Sequence, residues 1–354
     1  MGNSIRGFSI YYKKFSWYNG NSKSFGVRKM IQLQPKEKEI LKNLKFVDLF
    51  AGIGAFRLAL ESFGAQCVFS CEIDRYSQEV YFRNYGEKPI ADITRVKEEE
   101  IPTHDILCAG FPCQPFSISG KKLGFQDTRG TLFFEVARIV QYHKPKVIIM
   151  ENVKNIMSHD KERTVKVIQN TLQELGYDVY IKILNASDYG VPQKRERAFF
   201  VCFRKDLEIK EYQFPDKVEL RKHLIDYVML QEDVSSCMVH RTDISWREDV
   251  VEDYSNRPIR IGSVDKGRQG ERIYSPFGVA ITLSATGGGV GAKTGLYRIQ
   301  NQVRRLTPRE CARLMGFPDT FSIANRPNIA YKQFGNSIVV DVIQYIVKSI
   351  IEVI

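Results

Sequence analysis

The stretch Phe46-Val47-Asp48-Leu49-Phe50-Ala51-Gly52-Ile53-Gly54 decides the fold. Lys45 to Phe50 reads as a short buried strand, and Ala51 to Gly54 as a tight glycine turn. Phe56 to Phe63 then carries apolar residues at helical spacing and is closed by Gly64. Strand, glycine turn and helix in that order are how doubly wound α/β folds bind a nucleotide-like cofactor. The next strand, Cys67 to Cys71, ends at Glu72, where a carboxylate can take both hydroxyls of a ribose. Asp92, after a further short strand, can reach the base or its amino group. A dinucleotide fingerprint needs a small third residue, but Gly52-Ile53-Gly54-Ala55-Phe56-Arg57 puts arginine there. Arg57 is expected to obstruct the close helix–strand packing of a pyrophosphate site. A GxG turn with a distal acid therefore favours an adenosine without a pyrophosphate, hence S-adenosylmethionine over NAD.

Further along, His104 to Cys108 reads as a buried parallel strand, followed by Ala109-Gly110-Phe111-Pro112-Cys113-Gln114-Pro115-Phe116-Ser117. Gly110 and the two prolines forbid helix and further sheet, so the backbone turns at the strand's carboxyl end, where such folds place their chemistry. Cys113 on that stiff loop fits a nucleophile and also fits a packed thiol. Gly120 to Phe125 has the composition of a mobile lid. Thr131 to Tyr142 is helical, and Lys146 to Met150 is a strand ending at Glu151-Asn152-Val153 on the same sheet edge. A carboxylate there is either catalytic or a helix N-terminal charge. After a helix over Thr164–Leu175 and a strand over Tyr177–Leu184, Gln193-Lys194-Arg195-Glu196-Arg197 leads into the strand Ala198–Phe203. Arg195 and Arg197, at i and i+2, are expected to project on one face toward an anion or a carbonyl.

Charge is unevenly spread over the 354 residues. Residues 1–30 carry +6, residues 31–256 carry −3, and residues 257–313 carry +8 of the total of +11. A near-neutral body with one strongly basic segment fits a nucleic-acid partner better than a uniformly basic surface does, with a solvated charged loop as the alternative. Seven cysteines form no CxxC pair, and five histidines supply no metal-like cluster beside them, so no metal site is expected. No signal-peptide pattern opens the chain and no apolar run approaches the ~20 residues of a membrane span, so a reduced cytoplasmic setting without a membrane partner is expected.

Residues 1–30 show no periodicity and read as a flexible basic arm; those before Met30 are expected to be dispensable or to arise from an upstream start assignment. From about residue 215 the β-α alternation gives way to short β-prone pieces between glycines. Leu306 to Glu310 is a helix start with Thr307 as cap, Pro308 at N1 and Glu310 at N3. Phe334 to Ser337 is expected to open a final Ile/Val-rich helix that returns to the first domain. The expected organisation is a discontinuous catalytic and cofactor-binding domain, 31–225 with 308–354, and a small loop-rich β target-recognition domain, 226–307.

Together these blocks resemble the C5-cytosine-specific DNA methyltransferase family, most of all its short bacterial HhaI-type members. Phe46–Gly54 is similar to the family's cofactor loop, Gly110–Ser117 to its catalytic loop, and Glu151-Asn152-Val153 to its catalytic acid. Gln193–Arg197, Arg305–Pro318 and Gln333–Ser337 match further blocks, and order and spacing agree from about residue 44 to the end. The resemblance implies an S-adenosylmethionine-dependent, Rossmann-like α/β fold with a mostly parallel sheet, helices on both faces and the small β domain. The activity it implies is DNA (cytosine-5-)-methyltransferase, with S-adenosylhomocysteine as product and no metal.

Under that resemblance Cys113 adds to C6 of a flipped-out cytosine. Glu151 protonates N3, Arg197 contacts O2, and Arg195 contacts Glu151 or a nearby phosphate. Cofactor contacts fall on Phe50, Gly52, Gly54, Glu72, Ile73, Asp92, Ile93, Pro112, Leu132 and Asn336. Gln269 fills the vacated base position, Ser119 enters from the other groove, and Arg272 reads guanine; Thr282, Ser284 and Gly288 also face DNA. Three positions depart from the HhaI-type pattern. Ile73 stands where an aromatic is expected beside adenine, and Thr286 and Arg268 differ in the recognition segment, which bears on the target GCGC. The implied setting is a monomeric bacterial restriction–modification enzyme whose cognate endonuclease acts independently on the same duplex site. Other readings are a tRNA cytosine-5 methyltransferase of the same fold, an NAD-dependent oxidoreductase with a reactive cysteine, and a catalytically silent nucleic-acid-binding relative.

Overall fold

The computed structural model describes residues 31, 34–112, 132–228, 234–239, 244–246, 255–287, 289–300 and 302–354. The expected basic arm 1–30, Cys113, Ser119, the lid Gly120–Phe125 and Gly288 lie outside the described residues.

A six-stranded sheet carries the body, in the order β2-β1-β3-β4-β6-β5. Its strands are β1 (Lys45–Leu49), β2 (Gln66–Cys71), β3 (Ile106–Ala109), β4 (Val147–Val153), β5 (Tyr177–Asn185) and β6 (Glu196–Arg204). The pairs β1/β2, β1/β3 and β3/β4 are parallel, whereas β6 runs antiparallel to both β4 and β5. The sheet is therefore mostly parallel with one reversed strand.

Strand residues alternate between two buried faces, which is why β1, β3 and β4 read as unbroken apolar runs. Val47, Leu49, Leu107, Ile148, Met150 and Phe200 share a core with Val136, Ile139 and Val140 of α4 (Leu132–His143) and Ile168 and Leu172 of α5 (Arg163–Glu174). The alternate residues Phe46, Asp48, Cys108, Ile149 and Phe199 are buried as well. On that side α1 (Pro35–Lys42), α2 (Ala55–Glu61) and α8 (Val340–Ile351) pack together. Burying an aliphatic or aromatic side chain of this kind contributes about 1.5–3 kcal/mol. The remaining helices are α3 (Arg75–Tyr85), α6 (Pro308–Leu314) and α7 (Pro327–Asn336).

The basic segment and the short strand before it form a second sheet, β11-β10-β9-β8-β7. Its strands are β7 (Ile244–Trp246), β8 (Arg260–Val264), β9 (Arg272–Tyr274), β10 (Leu296–Ile299) and β11 (Gln302–Arg304). This sheet has its own apolar cluster of Val239, Ile261, Val264, Ile273, Leu296 and Val303.

Helix α6 starts as expected: the Thr307 hydroxyl accepts from Glu310 N while Glu310 accepts from Thr307 N at 2.8 Å, with Pro308 at N1. Phe334 to Asn336, by contrast, close α7 rather than opening the last helix, which begins at Val340. The polar break at Ser337 ends one helix, and the Val-Ile run starts the next.

Candidate active site

The cofactor turn is held in unusual backbone geometry. Phe50 lies at φ +57°, Gly52 at +57° and Gly54 at +88°. Left-handed conformations cost little at glycine but are strained at Phe50, a cost met mostly where function requires the shape. Gly54 N donates to Ala51 O at 2.8 Å and closes the turn. Glu72, at the end of β2, ties in from the front: Oε2 accepts from Gly52 N at 2.8 Å and Oε1 from Asp74 N at 2.7 Å. Burial raises the Glu72 pKa, and these two backbone amides oppose that shift. Each oxygen keeps a lone pair for a ribose hydroxyl.

The surroundings fit an adenosine. A Cβ on Gly52 would meet nothing within 4 Å, so the space before the turn is open. Ile73 beside it is 74% exposed, an apolar surface left bare at the place a base would cover. Asp92 accepts from Thr94 N and Thr94 Oγ1, whose hydrogen bonds lower its pKa, and it is ionised. Ile93 is buried, Leu132 half-buried, and Pro112 and Asn336 exposed at the same edge. Arg57 does not obstruct the helix as expected. It is 6% exposed and bound by Glu61 Oε1 at 2.7 Å, Glu87 Oε2 at 2.9 Å and Tyr81 Oη at 3.3 Å. Its partners come from its own helix and from the α3 region, a pairing the local sequence does not announce.

Glu151 and Arg197 form the charged centre at the carboxyl edge of β4. The β4/β6 register opposes Val153 to Arg197 and Glu151 to Phe199. Period-two alternation then sets Arg197 diagonal to Glu151 on one face. Arg197 Nε donates to Glu151 Oε1 at 3.0 Å, with the side chains 15% and 10% exposed. Burial raises the Glu151 pKa, while the charges of Arg197 and then Arg195 pull it down. A carboxyl so balanced can hold or release a proton.

Asn152 supplies a link that the sequence reading did not single out. It is 2% exposed, and its Nδ2 donates to Phe111 O at 2.8 Å while its Oδ1 accepts from Val153 N at 2.8 Å. The end of β4 is thereby fastened to the backbone one residue before Pro112 and two before Cys113. A buried amide directly after a strand-end acid is the signal that marks it.

Arg195 departs from its expectation. Its guanidinium donates to Leu283 O at 2.9 Å, Gly335 O at 2.9 Å and Ser337 O at 2.6 Å, not to Glu151 or toward an open phosphate position. It joins the entry of β6 to the 283 segment and to the break after α7. Gly335 approaches the same segment so closely that a Cβ would lie 2.1 Å from Ala285 N. Of the residues expected on DNA, Gln269 is exposed and Arg272 is half-buried, with no partner for its Nε among the described residues. The Thr282 hydroxyl donates to Lys194 O and that of Ser284 to Thr286 O.

Residues 44–352 match the family described as C-5 cytosine-specific DNA methylase. The chain belongs to that family. Type II methyltransferase M.HhaI of Haemophilus parahaemolyticus is 54% identical over 321 residues, 91% of this chain and 97% of that protein. Type II methyltransferase M.HaeII of Haemophilus aegyptius is 42% identical, over 88% of this chain and 94% of that protein. Among solved structures, the Dnmt2 methyltransferase of S. pombe superposes with a TM-score of 0.66 at 23% identity, covering 87% of this chain and 98% of that one; this likeness bears on the fold alone. The C-5 cytosine-specific DNA methyltransferase activity implies S-adenosylmethionine as methyl donor, a group the open turn, Glu72 and bare Ile73 fit.

Proposed function

We propose that this methyltransferase modifies C5 of a cytosine flipped out of a short duplex site, GCGC or a close variant, and protects host DNA in a restriction–modification system. The Glu151–Arg197 pair carries the reading, because it stands at the edge where Asn152 fixes the backbone leading to Cys113. Cytosine C5 is a poor nucleophile, so the Cys113 thiolate adds to C6 while Glu151 delivers a proton to N3 and absorbs the charge this creates. Arg197 holds Glu151 and presents its remaining donors to O2. S-adenosylmethionine, when bound, supplies an electrophilic methyl to C5. Loss of the C5 proton and elimination then free Cys113.

Phe50, Gly52, Gly54, Glu72, Ile73, Asp92, Ile93, Pro112, Leu132 and Asn336 line the cofactor. Gln269 enters the space the base leaves, Arg272 reads guanine, and Ser119, Thr282, Ser284 and Gly288 contact the duplex. Residues 31–225 with 308–354 form the catalytic domain and 226–307 the recognition domain, a division supported by the separate apolar cluster of the second sheet. The enzyme acts as a cytoplasmic monomer, with a cognate endonuclease cutting the same site independently.

A duplex carrying 5-fluorocytosine in the target is expected to trap a complex that survives denaturation, and Cys113→Ser to abolish both trap and turnover. Labelled-methyl transfer to tRNA with none to duplex DNA would overturn the substrate assignment, and absence of a trapped complex the covalent route.

A further inference from the structure

The cofactor turn is gripped from behind as well as from the front. Tyr85, the last residue of α3, donates its hydroxyl to Gly54 O at 2.8 Å. The same carbonyl accepts the first bond of α2, from Leu58 N at 2.9 Å, so both its lone pairs are engaged. The Tyr85 ring occupies the space a Gly54 Cβ would need, with Cε2 2.5 Å from that position. Gly54 is therefore fixed by its φ of +88° and by the ring together. The Arg57 guanidinium lies 4.6 Å from the ring centre, and Glu61 and Glu87 hold it there. Tyr81 packs against the ring at 4.6 Å, and Phe321 meets it edge-on at 6.4 Å. Among the described residues, the turn takes its side-chain hydrogen bonds from Glu72 in front and Tyr85 behind.

We propose that Tyr85 is a positioning residue for the methyl donor: it touches no reacting atom but holds the Ala51–Gly54 turn in its binding-competent shape. This rests on the reading that the turn holds S-adenosylmethionine. A turn released from one side samples other conformers, and apparent affinity falls by the fraction that stays competent. Chemistry on the bound complex is untouched, because Glu151, Arg197 and the duplex contacts do not pass through Tyr85.

The test is calorimetric titration of S-adenosylhomocysteine onto the full chain, beside steady-state kinetics and a melting curve. Tyr85→Phe keeps the ring and the stack and removes only the hydroxyl. It is expected to weaken binding about fivefold, the equivalent of one neutral hydrogen bond. The KM for S-adenosylmethionine should rise in parallel, with kcat at saturation unchanged. Tyr81→Phe is the control: its hydroxyl meets Arg57 in the same cluster but does not reach the turn. That variant should keep wild-type affinity even where its melting temperature falls. Equal affinity for Tyr85→Phe and wild type would overturn the proposal, as would an equal loss in Tyr81→Phe, which would mark a general loosening. Failure of the wild-type chain to bind S-adenosylhomocysteine would instead overturn the cofactor reading itself, and this inference with it.

Discussion

Glu151 and Arg197 meet across neighbouring strands of opposite direction, Nε to Oε1 at 3.0 Å, because β6 is reversed in an otherwise parallel sheet. Burial pushes the Glu151 carboxyl up, and the guanidinium holds it back. Arg197→Ala removes the stronger of the two cationic influences, so the Glu151 pKa should rise further. A carboxyl that must be protonated to serve N3 loses activity as pH climbs through its pKa. The alkaline limb of the single-turnover profile should therefore move to higher pH, while the maximal rate drops about 10- to 100-fold with the lost contacts. An alkaline limb that stays in place would show that Glu151 does not set it.

Asp48 carries a second pH effect, on stability. It is 0% exposed, and the Arg57 backbone amide is the hydrogen-bond donor that faces its carboxylate. Burial lifts its pKa to about 8, with the Arg57 charge opposing. The unfolded carboxyl titrates near about 3.9, so between about 4 and about 8 the folded chain holds a proton that the unfolded chain has released. The contribution of this group is thus full below about pH 4 and is lost as pH rises to about 8. Asp48→Asn should remove that decline, so the variant gains on wild type in urea denaturation between about pH 5 and about pH 8. A constant difference between the two over that range would refute it.

Much of this site was legible in the sequence because its parts are local. A strand, two glycines and a helix define the turn, and an acid at a strand end announces Glu151. The roles of Arg57 and Arg195 are hidden for the opposite reason. Two of the three partners of Arg57, Tyr81 and Glu87, lie on α3 and just beyond it, and those of Arg195 are carbonyls of Leu283, Gly335 and Ser337, far along the chain. Spacing within a segment announces the Glu61 contact, at i+4, and none of the others. The reversal of β6 was equally hidden, since an apolar run carries no direction.

Arg304 and Glu310 form a bidentate pair, both contacts at 2.8 Å, with side chains 2% and 0% exposed. Arg304→Met strands a buried carboxylate that also caps α6, and should cost about 3–5 kcal/mol. The double variant Arg304→Met/Glu310→Gln should recover part of that loss. Chemical denaturation checks both, and no recovery in the double variant would refute the pairing argument.

Gly335→Ala tests the tightest site for an added Cβ among the described glycines. Its Cβ would fall 2.1 Å from Ala285 N and 2.3 Å from Ser284 C, backbone atoms that cannot swing aside. Overpacking of this kind costs about 1–3 kcal/mol, and the displaced 283–286 segment should weaken binding of the target duplex. Unchanged melting and duplex affinity would show that the two backbones part freely.

The three carbonyls around Arg195 limit how such an enzyme can acquire a new target. Two of them belong to the α7 break and one to the segment beside the second sheet. With 226–307 as the recognition domain proposed above, a sheet grafted from a relative over those residues would import one side of that junction and leave the other behind. Such a graft should fold only where the donor's 283–285 backbone follows the contour of Gly335, because the space there admits no side chain.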